Sequence, residues 1–247
     1  MRTLETHGGK LPGVDLQDLS GWLIVIEGTD NVGRTTHIDR LRAHLSNQGY
    51  AVAETGFTRS GLASKGIRRA KEGNTLGSDA FNLFYATDFA DRLERQIIPA
   101  LRAGFVMLTD RYIYSLIARA IVRGADSDWI KQVYSFALRP NAVFYLRIEV
   151  PDLVPRVLAK GSFDYWESGM DLPMGSDLYE SFIEYQSRVI RELDALSTEF
   201  EFHTLDATRP TDTVAKELCL QVTQLLTAGE AERGAAPGAL ESQPAKE

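Results

Sequence analysis

The stretch Gly21–Trp22–Leu23–Ile24–Val25–Ile26–Glu27–Gly28–Thr29–Asp30–Asn31–Val32–Gly33–Arg34–Thr35–Thr36 decides the fold. Leu23 to Ile26 is an unbroken apolar run rich in β-branched residues, which suits a strand buried on both faces of a parallel sheet. A turn with glycine at each end follows. Ile38, Leu41 and Leu45 then recur at helical spacing, with Asp39, Arg40 and Arg42 between them. Strand, glycine-bounded turn and helix are the setting of a phosphate-binding loop. Gly28 and Gly33 bracket four residues, as GxxxxGK[ST] requires. Glycines let backbone N–H groups curl around an anion, and the helix N-terminus behind them adds a positive dipole end. Thr35 stands where a hydroxyl would ligate Mg²⁺. One position departs from the motif: Arg34 replaces its lysine, keeping the charge but adding a bulky planar fork.

The rest of the chain supports an α/β reading. Its 247 residues are 44% hydrophobic and 25% charged, the balance of a soluble globular protein. A formal net charge of −7 argues against nucleic acid polymers as partners, which need a basic surface, but not against a mononucleotide. No run approaches the ~18 apolar residues of a membrane span, and the first residues lack the apolar core of a signal peptide. The single cysteine, Cys219, allows no internal disulfide and reads as a buried small residue on an amphipathic helix. A cytoplasmic location is expected.

Taken in order, residues 1–20 read as a loose leader with a short helix near Leu16 to Leu19. Further strands are expected at Tyr50 to Glu54, Phe105 to Tyr112, Ala142 to Ile148 and Phe200 to Leu205, separated by helices. The longest helix spans Asp79 to Arg102, with Pro99 bending or restarting it. On it Leu83, Ala86, Ala90, Leu93 and Ile97 form one stripe. Tyr85, Asp88, Phe89 and Arg92 form a second, which is either the wall of a pocket for a flat ligand or packing beneath another helix. Asp110 and Arg111 end a strand, where parallel sheets place their ligand crevice. Gly161 to Ser176 reads as a lid, and residues 228–247 as a disordered tail. The expected architecture is one P-loop NTPase-type domain over residues 21–227: α/β, with a five-stranded mostly parallel sheet and helices on both faces.

With the P-loop, Thr58–Arg59, the long helix and Asp110–Arg111–Tyr112 in this order, the chain resembles the thymidylate kinase family from about Trp22 to Leu226. The resemblance implies transfer of the γ-phosphoryl of ATP to a nucleoside monophosphate, dTMP foremost, with Mg²⁺, in a homodimer. Gly28, Thr29, Asp30, Asn31, Val32, Gly33, Arg34, Thr35 and Thr36 would hold the ATP phosphates. Thr35 and Asp110 would hold the metal. In the family the acidic residue at the place of Asp30 holds the acceptor sugar. Arg59 and Arg111 match arginines that grip the acceptor phosphate. Tyr85 matches an aromatic ring that stacks on the base, and Arg68 lies near a base-contacting arginine. Catalytic roles are expected of Arg34, Asp110 and Arg111.

Departures from the family pattern accompany the likeness. Phe89 stands where the family has an arginine that reads the thymine edge. Arg119 and Ala120 stand where it has a Tyr–Gln pair. The family's catalytic arginine, in P-loop or lid, is missing, since Asn31 holds the P-loop place and residues 161–176 contain no arginine. Only Arg156 and Lys160, just before the lid, or Arg34 itself, are placed to take that role. The altered loop and lid also suit a nucleotide-binding pseudo-kinase with a regulatory or scaffold role, or a kinase for another small nucleotide acceptor.

Overall fold

The computed structural model describes residues 4–57, 60–73 and 76–234. Five strands form one sheet, every pairing parallel, in the order β2-β3-β1-β4-β5. They are β1 (Trp22–Glu27), β2 (Val52–Gly56), β3 (Val106–Asp110), β4 (Ala142–Arg147) and β5 (His203–Asp206). In β1, Leu23 and Val25 enter one core while Ile24 and Ile26 enter the other. The apolar run is therefore unbroken because both faces of the central strand are covered.

The helices between the strands are α1 (Arg34–Asn47), α2 (Ser64–Gly73), α3 (Ser78–Arg92), α4 (Ile98–Arg102), α5 (Ile113–Val122), α6 (Ser127–Val133), α7 (Val150–Ala159), α8 (Leu178–Glu199) and α9 (Thr211–Gly234). Phe89, Leu93, Ile97 and Ile117 belong to one core, Leu41, Val157 and Leu218 to the other. The crevice opens at the C-terminal ends of β1 and β3, the neighbours at the centre of the sheet.

Four local expectations are corrected. The long helix is not continuous, because a π-helical turn at Leu93–Ile97 separates α3 from α4. Pro99, in the first turn of α4, has no N–H to give back, and the widened turn absorbs the mismatch. The buried stripe of α3 is Ala86–Phe89–Leu93–Ile97, while Leu83 is 48% exposed. Helical spacing admits either Phe89 or Ala90, and the larger ring takes the core. The leader is tied down: the Thr6–Leu138 bridge and the bond from Arg139 N to Glu5 O fix its backbone, and His7 packs between Tyr114 and Phe200. Its Leu16–Asp18 turn is a 3₁₀ helix. Finally, α9 continues seven residues past 227 to Gly234. A Cβ at Gly229 would lie 2.2 Å from the Trp22 ring, so the missing side chain lets the helix pass over that indole. Residues 235–247 lie outside the described residues.

Candidate active site

The P-loop leaves β1 through a backbone that glycine makes accessible. Gly28 has φ +147°, and a Cβ there would sit 2.9 Å from the Leu146 carbonyl oxygen. Gly33, the N-cap of α1, has φ +105°. Between them Asn31 takes φ +66° and Val32 is fully buried, anchoring the turn in the core.

Arg34 is folded into this loop and is 9% exposed. Its Nη1 donates to the Gly28 carbonyl at 2.7 Å and to the Thr29 carbonyl, and its Nε to Asp110 Oδ1 at 2.6 Å. The guanidinium thus joins the strand end of β3 to the loop through three bonds, which lysine, lacking the planar fork, would not reproduce. Arg156 supports the loop from α7, donating to the carbonyls of Val32, at 2.9 Å, and Ala207. Lys160 is exposed. Thr35 and Asp110 line one small cavity of about 30 Å³ with Asp39, Glu54 and Thr55. Asp110 spends one oxygen on Arg34, and Thr35 is exposed. Oxygen donors of this kind suit Mg²⁺, which is typically held by one or two protein groups with the rest of its shell water and phosphate.

Glu27, which sequence reasoning passed over, holds the opposite strand end. It is fully buried at the end of β1 and accepts from Tyr112 N–H at 2.8 Å and from the backbone N–H and hydroxyl of Ser115. Burial raises its pKa, opposed by these hydrogen bonds and by Arg34 and Arg111. The Asp110-Arg111-Tyr112-x-x-Ser115 pattern is therefore, in part, the set of donors that clamps the β3–α5 turn to β1. Arg111 pays with a left-handed backbone, φ +67°.

Beside the loop lies a pocket of about 230 Å³ lined by Asp30, Arg111, Arg119, Tyr85, Lys71 and Trp166, among others. Asp30 accepts from both Arg111 and Arg119. Burial, with Arg119 adjacent, pulls the Arg111 pKa down to about 9. Its Nε is buried without a partner. Tyr85 meets Phe81 edge-on at 5.0 Å, and burial raises its pKa. Phe81 faces Trp166 of the lid at 5.6 Å. The expected residues Asp30, Tyr85, Arg111 and Arg119 are thus brought together.

Phe89 is not among them. It is fully buried among Tyr112, Tyr134 and Phe136, with the Arg92 guanidinium 5.5 Å from its ring. Asp88 and Arg92 pair in the interior at 2.9 Å, so packing rather than a pocket wall explains most of that stripe. Arg68 is on an exposed face of α2, and the cation that α2 sends into the pocket is Lys71, nearly one turn on. Arg59 lies outside the described residues. The 161–176 segment, expected to be a lid, is anchored. Arg123 donates to Asp171 at 2.8 Å, to the Trp166 carbonyl at 3.1 Å and to the Tyr185 hydroxyl, and Asn31 of the P-loop donates to Glu167 at 3.0 Å. Lys71, Trp166 and Glu167 escaped the sequence reading because nothing in their spacing separates them from an ordinary polar helix and loop.

Residues 26–218 match the family model described as thymidylate kinase. The chain belongs to the thymidylate kinase family. Among its curated relatives, probable thymidylate kinase 2 of Saccharolobus solfataricus is 38% identical over 194 residues, 78% of this chain and 91% of the relative. Probable thymidylate kinase of Pyrococcus horikoshii is 32% identical over 160 residues, 62% of this chain and 78% of the relative. The members are nucleoside monophosphate kinases, and the family implies ATP as phosphate donor. No helix among the described residues is long and apolar enough to cross a membrane.

Proposed function

We propose that this chain transfers the γ-phosphoryl of ATP to dTMP, binding ATP in the Gly28–Thr36 loop and dTMP in the Asp30–Tyr85–Arg111–Arg119 pocket. The observation that carries the acceptor assignment is Arg111. A buried, partly unpaired guanidinium sits at the end of β3, beside the P-loop and opposite aromatic rings. Such a group is a donor held for an anion.

Phosphoryl transfer of this kind needs alignment and charge neutralisation more than covalent chemistry. Backbone N–H groups of the loop take the donor phosphates, and Arg34, bonded to the Gly28 and Thr29 carbonyls, places positive charge within it. Arg111 turns the acceptor phosphate, joined by Arg59. Asp30, already fixed by two arginines, receives the sugar hydroxyl. Tyr85 supplies the ring face for the base. Thr35 and Asp110 would hold Mg²⁺, which supplies charge neutralisation on the donor phosphates when bound. Arg34, Asp110 and Arg111 are the residues we assign to catalysis.

We further propose a homodimer, as the resemblance implies, in the cytoplasm. Leu62, Leu83 and Phe84, exposed on or just before α2 and α3, offer apolar area for it, and sedimentation of the Leu83→Glu variant tests the face. For the activity, purified protein is given ATP, Mg²⁺ and dTMP, dUMP, dCMP, dGMP, CMP or AMP in turn. dTMP should be the preferred acceptor. Arg111→Lys should lower kcat/KM for dTMP by about a hundredfold, with ATP-analogue affinity held within twofold. No turnover of any acceptor would refute the reading.

A further inference from the structure

We propose that Asn82 reads the base of the acceptor, donating its side-chain amide to a pyrimidine carbonyl. This rests on the acceptor assignment above and sharpens it.

Asn82 sits on α3, three residues before Tyr85 and next to Phe81. It is 8% exposed, and its Nδ2 is shielded from solvent with no hydrogen-bond partner. A buried amide donor left unpaired is destabilising, and such groups in folded proteins call for an explanation. Packing alone would be better served by leucine at this position.

Its surroundings supply the explanation. Two adjoining cavities, of about 230 and 170 Å³, share Phe81, Asn82, Arg123 and Trp166 in their walls. Phe81 touches Tyr85 on one side and Trp166 on the other, so Asn82 lies within a frame of aromatic rings suited to a flat heterocycle. The other strong donors of this pocket are cations. Arg111 and Arg119 bind Asp30, Arg123 binds Asp171, and Lys71, its ammonium 5.6 Å from the Trp166 ring, suits the acceptor phosphate. Phe89, seven residues along α3 on the same face, is apolar and sealed in the core, so it offers the base no hydrogen bond. Asn82 is the amide left to do so. An amide also matches the imide edge of thymine or uracil, donating to the carbonyl while accepting from the neighbouring ring N–H. A site that hydrogen-bonds its substrate rejects analogues lacking the partner far better than an apolar wall does.

Three measurements test this. Asn82→Ala should lower kcat/KM for dTMP by at least about tenfold, mainly through KM. Its ATP-analogue affinity should stay within twofold, and the melting temperature of the ligand-free protein should be unchanged or higher, because an unpaired buried donor has been removed. Asn82→Asp, which exchanges the donor for a carboxylate, should shift the ratio of dCMP to dTMP turnover towards dCMP, whose exocyclic amine can donate. The wild-type enzyme should show a raised KM for 4-thio- or 2-thio-dTMP, whose sulfur is the weaker acceptor, and this arm stands even where both variants fail to fold. A dTMP KM within twofold of wild type in Asn82→Ala, or no KM change for either thio analogue, overturns the assignment. So does a ligand-free melting temperature lowered by several degrees, which would mark Asn82 as structural. Active wild type with unaffected variants refutes only the role of Asn82; wild type that neither binds nor turns over dTMP refutes the acceptor reading as well.

Discussion

Lys71 shows how one side chain ties the pocket to solution pH. It reaches the pocket from α2, its ammonium 5.6 Å from the Trp166 ring, and among the described residues it has no salt bridge. Burial lowers its pKa to about 8, helped by Arg119 of α5 and Arg123 at its C-terminus and opposed by Asp164 and by Tyr185 of α8. In the empty pocket, then, the neutral amine gains ground as pH rises past about 8. A bound monophosphate, already a dianion there because its second pKa is about 6, favours the ammonium. Binding must therefore take up a proton at pH 9 and hardly any at pH 7, so acceptor affinity falls as pH rises through about 8. Calorimetry of dTMP binding at pH 9, in buffers of different ionisation enthalpy, should give a net proton uptake, to which Arg111, with its pKa at about 9, adds its own share. Lys71→Met should lower the uptake to that share and make the pH dependence shallower. Equal uptake in both proteins would remove Lys71 from the acceptor site.

Between residue and molecule stand the turns that join strand to helix. The β3–α5 turn is held to β1 by one backbone bond, from Arg111 N–H to the Ile26 carbonyl at 3.0 Å, and by Glu27: Tyr112 N–H, Ser115 N–H and the Ser115 hydroxyl all end on its carboxylate. Glu27→Ala would leave these donors buried and unpaired, at a cost of about 3 kcal/mol or more. The expected outcome is a lowered melting temperature together with loss of acceptor binding, since Arg111 rides on the same turn; thermal unfolding and dTMP titration read both. This division between local and distant partners also explains what the sequence revealed. The unbroken apolar run of β1 and the helical spacing of Ile38, Leu41 and Leu45 in α1 are local signals, and the strands and most helices were legible within a few residues. The leader was not, because its anchors at Leu138 and Arg139 lie more than a hundred residues away and its own Gly- and Pro-rich composition carries no period. In the site, Asp30, Tyr85, Arg111 and Arg119 were legible through motif order. Asn82 and Lys71 were not, because a single polar residue on a helix looks the same whether it meets water or a cavity.

At the scale of the molecule, the P-loop and the proposed acceptor pocket both touch the 161–176 segment, read from the sequence as a lid. Asn31 holds Glu167 across the crevice, while Gln186 of α8 donates to the Glu167 carbonyl at 2.6 Å and Ser181 to the Ser168 carbonyl at 2.7 Å. The lid is thus fastened on the α8 side by backbone bonds and on the donor side by one carboxylate. That carboxylate also lies close enough to Arg111 to influence its charge. On the proposed reading, ATP phosphates arriving in the loop bring negative charge towards Glu167, which opposes them by repulsion. By linkage, whatever holds this latch closed weakens donor binding, and the donor loosens the latch by the same free energy. Glu167→Gln keeps an amide for Asn31 but removes the charge. It should bind a non-hydrolysable ATP analogue at least about fivefold more tightly, by a margin that shrinks in high salt to the extent that solvent reaches the crevice. Hydrogen exchange should agree: in the wild type the analogue should lower amide protection over residues 164–172, and in Glu167→Gln it should leave that protection where it was. Equal donor affinity in the two proteins, with the same exchange response, would show that the lid and the phosphate loop act independently.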